Sequence, residues 1–169
     1  MTAIWNRPGG RLDAELAVAL DATARCLVRA RSPRQLEQAV VYTLRLWRAV
    51  RRLAPAHPDP DRRELLRDTA DHVATMLVLD PRPCPDPRDL AFIAGRCLSL
   101  AEHLAGPSAM AGARAALLGR WAADDRHDSF EEWLLGRFQS DSQAPAGANL
   151  WGAGTTPWGD PSCSRGQCA

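Results

Sequence analysis

SPRQLEQAVVYTLRLWRAVRRL, residues 32–53, decides the fold class. Ser32 followed by Gln35 is a capping box: the hydroxyl accepts from a backbone N–H of the first turn, and the glutamine reaches back over the helix start. Pro33 falls at the first helical position, where its missing N–H is no loss. Behind this signal Leu36, Val40, Thr43, Leu44, Trp47 and Val50 recur mostly at intervals of three and four, which is one side of an α-helix. Pro55 and Pro58 stop it, because proline cannot donate the helical hydrogen bond. The segment reads as a helix over about 33–53 with its apolar side turned inward.

The same signals continue in both directions. Upstream, after Pro8-Gly9-Gly10, Leu12, Leu16, Leu20, Thr23 and Leu27 mark a helix over about 11–30. Downstream, Asp59-Pro60 opens a helix over about 60–79, with Leu65, Leu66, Thr69, Val73, Met76 and Leu77 inside. Asp86-Pro87 opens one over about 87–105, lined by Leu90, Ile93, Cys97, Ala101 and Leu104. Gly106-Pro107 ends it and leads to a helix over about 108–123, carrying Met110, Ala113, Leu117 and Trp121. Asp128 with Glu131 is read as the cap of a short helix over about 129–138, with Phe130, Trp133, Leu134 and Phe138 on one side. The Xaa-Pro starts at 32–33, 59–60 and 86–87 fall 27 residues apart, but the sequences between them do not match, so a bundle is expected and not a repeat array. No stretch alternates with period two, so no strand is expected. The expected architecture is all-α: an irregular bundle of five to six helices over residues 11–138, with a flexible N-terminus over 1–10.

Composition bounds the function. The chain has 169 residues, 46% hydrophobic and 24% charged, values of an ordinary single globular domain. Its net charge of +1 lacks the overall positive field of the simplest nucleic-acid binders. All 21 basic residues are arginine, which excludes a Schiff-base lysine and a P-loop lysine. The richness in Arg, Ala, Pro and Gly points to a high-GC, bacterial genome. The start, MTAIWNRPGGR, shows no basic segment followed by an apolar run, and the longest uncharged apolar run, residues 73–79, is far too short for a bilayer. A cytoplasmic protein is expected, with no membrane partner. The odd count of five cysteines is not a disulfide framework. Cys26 and Cys97 read as buried thiols, and Cys84 as part of a proline-rich loop.

Few motifs suggest chemistry. Asp124-Asp125-Arg126-His127-Asp128 matches the DDxxD pattern in which aspartates hold magnesium. The chain is half the length such enzymes need and carries no second motif, so a solvated, capping turn is the reading adopted. His57, His72, His103 and His127 show no metal-ligand spacing, and no metal or other cofactor is expected. Arg45, Arg48, Arg51 and Arg52 form a basic ridge on the second helix, suited to phosphate or an acidic partner. Asp59, Asp61 and Glu64 are the acids expected to balance it. A DNA-binding role on this helix is the second alternative function.

From Gln139 the chain becomes rich in Gly, Ser, Pro and Ala, with one large aliphatic residue, Leu150. Such a segment buries too little to offset its ordering entropy, so a disordered tail over 139–169 is expected. It holds Trp151, Thr155, Thr156, Trp158, Ser162, Cys163, Ser164 and Cys168. These residues are candidates for contact with a partner or for modification. A helical leader followed by a Thr/Ser/Cys-bearing segment is the layout of a ribosomal peptide precursor, the first alternative function.

The sequences VVYTLRLWRAVRRLAPAHPDPDRRELLRDTADHVATMLV and DLAFIAGRCLSLAEHL, within residues 40–105, resemble a family of small, uncharacterised, actinobacterial helical proteins. Some members of that family are labelled natural-product biosynthesis proteins. The resemblance rests on "LRLWRAVRRLAP", "DTADHVATML" and "GRCLSLAEHL". It implies an all-helical fold and offers no catalytic residue to carry over. With no polar constellation converging, the expected function is a non-enzymatic accessory or adaptor protein in bacterial specialised (natural-product) metabolism that binds a protein partner.

Overall fold

The computed structural model describes residues 11–78, 86–125 and 128–140. Six helices follow in order: α1 Arg11–Arg29, α2 Pro33–Leu53, α3 Pro60–Val78, α4 Pro87–Leu104, α5 Pro107–Ala122 and α6 Phe130–Ser140. One 3-10 turn, Ala54–Ala56, extends α2. Among the described residues there is no strand, and no helix is long and apolar enough to cross a membrane.

Four helices begin on a proline, and three of these starts are the Xaa-Pro pairs seen in the sequence. At each of the three the preceding side chain caps the first turn. Ser32 Oγ accepts from Gln35 N at 3.2 Å, Asp59 Oδ1 from Asp61 N at 2.9 Å and Asp86 Oδ1 from Arg88 N at 2.8 Å. Gln35 reaches back over the helix start and accepts from the amide of Arg31, one residue before the cap, at 2.8 Å, which satisfies a donor no helical bond can reach. The last cap differs from expectation. α6 is capped by Ser129, whose Oγ accepts from Glu132 N at 3.2 Å, and not by Asp128 with Glu131. The helix starts one residue later than the Asp128 reading requires, so the residue whose side chain faces the open N–H groups is Ser129.

α1 is the centre of the bundle. It packs most heavily on α4 and also meets α5, α2 and α6. The Leu12, Leu16, Leu20, Thr23 and Leu27 stripe is buried as expected, but every residue from 15 to 24 is buried too. Small side chains at Ala17, Ala19, Ala22 and Ala24 let neighbours approach the side that a surface helix would give to water. The rest of the core is supplied by the expected stripes of α2, α3, α4 and α6, with Trp47, Leu66, Ile93 and Leu134 fully buried. α5 contributes one fully buried residue, Leu117, while Met110, Ala113 and Trp121 are half-buried against the core.

Candidate interaction surface

The buried acids of α1 set the electrostatics. A carboxylate inside a protein is stable only when paired and hydrogen-bonded. Glu15 Oε1 accepts from Arg120 of α5 at 2.7 Å, and its Oε2 lies 3.5 Å from Arg137 of α6. Asp21 Oδ2 accepts from Arg114 of α5 at 3.1 Å, and Arg25 sits beside the same carboxylate. Asp13 accepts from Arg62 of α3 and lies 3.2 Å from His57 Nε2. His57 Nδ1 lies 3.1 Å from the Asp59 amide nitrogen and 3.2 Å from the Asp59 carbonyl oxygen, while its Nε2 faces Asp13. Arg63 grips the His57 carbonyl through Nε and Nη2. Each of these groups joins α1 to another part of the fold. A partial sequence signal existed for two of them: Glu15 and Asp21 sit within the alanine- and leucine-rich run 14–24.

The Asp124–Asp128 turn is also a joint. Asp124 Oδ2 accepts from the Trp133 indole at 2.8 Å, and the Asp128 carbonyl accepts from the Trp121 indole at 3.1 Å. The two ring N–H groups thus tie α5 to α6, reinforced by the edge contact of Trp121 with Phe130. Arg126 and His127 lie outside the described residues. Among the described residues no group of three metal-capable side chains comes together.

The two described thiols, Cys26 and Cys97, are poor nucleophiles. Burial pushes Cys97 up to about 12, against a small opposing effect of the Trp47 indole N–H. Cys26 is half-buried, less than expected, because it borders a small hollow with Thr23, Tyr42 and Glu131. Its thiol is raised by burial first and by the Glu131 carboxylate second, with Arg29 opposing. A thiol so raised stays protonated near neutral pH, and the thiolate is the reactive form. Cys84 and all the singled-out tail residues, Trp151, Thr155, Thr156, Trp158, Ser162, Cys163, Ser164 and Cys168, lie outside the described residues.

What faces outward on α2 is more telling. Arg34, Gln38, Val41, Arg45, Arg48 and Arg52 are all exposed. They follow at intervals of four and three, so at about 100° per residue they share an arc of about 80°, and the row is about 27 Å long at 1.5 Å per residue. The helix carries five arginines against one glutamate in a chain of net charge +1. Two details of the sequence reading change. Arg51 leaves the ridge: it points about 100° away from the row's centre and pairs with Asp71 of α3 at 2.9 Å. Arg34, one helix-length upstream, takes its place, which the four-three spacing alone could have revealed. Of the expected balancing acids, Asp59 is engaged elsewhere: it caps α3 and lies 3.7 Å from Arg62. Among the described residues no ion pair holds Arg34, Arg45 or Arg52.

Compared with known proteins, the chain matches no family model, no curated protein and no solved structure.

Proposed function

We propose that the chain is a non-enzymatic adaptor whose α2 arginine row holds a protein partner bearing an acidic helix. The observation that carries this reading is the row itself: among the described residues three of its four arginines, Arg34, Arg45 and Arg52, stand in solvent without an ion pair, while the acids of α1 engage arginines of α3, α5 and α6. Guanidinium forks bind carboxylates in two-pronged fashion. Acids at the four-three spacing of a second helix would meet the row in register over its whole length, with exposed Val41 opposite an apolar position. The row carries no aromatic side chain for base stacking, which disfavours a single-stranded nucleic acid. The resemblance of residues 40–105 is the support for siting such an adaptor in actinobacterial natural-product biosynthesis.

A photo-crosslinking residue at Val41, introduced in the native host, tests this. The expected product is one covalent protein adduct whose crosslinked peptide is acidic and helical, and it disappears in Arg45→Glu/Arg52→Glu. Crosslinks to nucleic acid would favour the regulator reading instead. The Ser, Thr and Cys residues of the C-terminal segment support the precursor as a second reading. Intact mass decides that one: loss of water per dehydrated residue, or removal of the segment, supports a precursor, and an unmodified full-length mass opposes it.

A further inference from the structure

α3 turns a row of acids to solvent. Asp61, Glu64 and Asp68 are exposed and follow at intervals of three and four, and Asp71, half-buried, continues the row three residues on. At about 100° per residue the four share an arc of about 80°, while Leu66, Ala70 and Val73 hold the core side of the helix. The arginines of α3 leave this row clear. Arg62 turns to Asp13, Arg63 to the His57 carbonyl, and Arg67 lies at the row's edge, 3.3 Å from Asp68. Among the described residues no ion pair holds Asp61 or Glu64. The acid row adjoins the arginine row of α2. Arg51, on the flank of α2, reaches Asp71 at 2.9 Å, so one ion pair bridges the two rows along a common edge. Arg45, Arg48 and Arg52 have the same three-four spacing as Asp61, Glu64 and Asp68. Each trio spans about 10.5 Å at 1.5 Å per residue.

We infer that the α2 row is occupied by the α3 acid row of a second copy of the chain, in a reciprocal twofold dimer. This rests on the reading of the α2 row as a seat for an acidic helix, and it names that helix. A twofold contact presses one patch against itself, so the patch must be its own complement. A row of arginines alone is not, and neither is a row of acids alone. The two rows side by side are: an axis running between them lays each arginine row on the acids of the other copy, and each acid row on its arginines. The Arg51–Asp71 pair is the same contact made once within a single copy. Asp61 and Glu64 then balance the basic ridge, as the sequence suggested, but from the other copy. Exposed ion pairs are individually weak, so the dimer is expected to be reversible, to form at micromolar concentration and to dissociate in high salt.

Sedimentation equilibrium of the full chain, from low to high micromolar concentration at low salt, is the test. The expected result is a reversible dimer. Arg45→Glu/Arg52→Glu and, separately, Glu64→Arg/Asp68→Arg should each weaken it about 100-fold by setting like charges against each other, with helicity unchanged by circular dichroism. Mixing guards against a trivial loss of fold: one variant then has acids on both rows and the other arginines on both, so the two should associate with each other while neither associates with itself. A chain that stays monomeric at every concentration overturns the inference. So does a dimer that survives either double reversal, or a mixture that fails to associate. Titration with an acidic helical peptide separates this inference from the reading beneath it. A chain that binds the peptide yet never self-associates overturns the dimer alone, and a chain that does neither overturns the α2 seat as well.

Discussion

The outer faces of α2 and α5 have the same geometry and opposite chemistry. Both present a four-three stripe to solvent, one of arginines and one of glycine, alanine and serine. Both helices carry arginines, so composition does not separate them. The central helix does. α1 offers Glu15 and Asp21 to α5, which draws Arg120 and Arg114 inward and leaves the outside bare. α2 sets Val40, Thr43, Trp47 and Val50 against the core, and among the described residues no ion pair holds Arg34, Arg45 or Arg52 on its outward side. What each face can bind is thus decided from the interior, by which arginines the buried carboxylates claim.

The hardest way to break this contrast is to remove a claiming acid. Glu15→Gln should lower stability by about 2–3 kcal/mol, because Arg120 and Arg137 lose their anion while remaining partly buried. The figure sits below that of fully buried pairs, since both arginine side chains are about a third exposed. Urea denaturation would measure it, and a loss within about 0.5 kcal/mol, typical of a surface site, would show that the pairing does not shape the fold.

Charge reversal on α2 acts on binding and hardly on folding. Arg45→Glu/Arg52→Glu should weaken an acidic helix about 10- to 100-fold, while stability shifts by no more than about 0.5 kcal/mol. Calorimetric titration and thermal melts on one sample separate the two effects.

Much of this was legible beforehand, and the reason is local. Ser32-Pro33, Asp59-Pro60 and Asp86-Pro87 each combine a capping side chain with a fixed backbone angle, so the helix starts could be read to the residue. The apolar stripes of α2, α4 and α6 followed for the same reason, since each faces one core. Burial of α1 on all sides was not legible as a stripe, because it depends on which helices surround it. The fates of Arg51, Glu15 and Asp21 depend on partners far along the chain, 20 residues away for Arg51 and Asp71 and 105 for Glu15 and Arg120. The cap of α6 misread by one residue because Asp128 and Ser129 are both capping types and adjacent.

Smaller effects sharpen the picture. Gly112→Ala and Gly119→Ala should each stabilise the monomer by about 1 kcal/mol, the difference in helix propensity, since no neighbour obstructs the added methyl. Ser32→Ala should destabilise by about 1 kcal/mol through the lost cap of α2, read as a lower denaturation midpoint.

The account rests most heavily on the α2 row as a seat for an acidic helix. Fluorescence-anisotropy titration of the full chain with a labelled helical peptide bearing glutamates at four-three spacing tests it directly, run alongside a duplex DNA at several salt concentrations. Binding of the peptide that falls with salt, exceeds that of the duplex and vanishes in Arg45→Glu/Arg52→Glu is the predicted result. Peptide binding that survives the double reversal, or a duplex that binds more tightly, would contradict it.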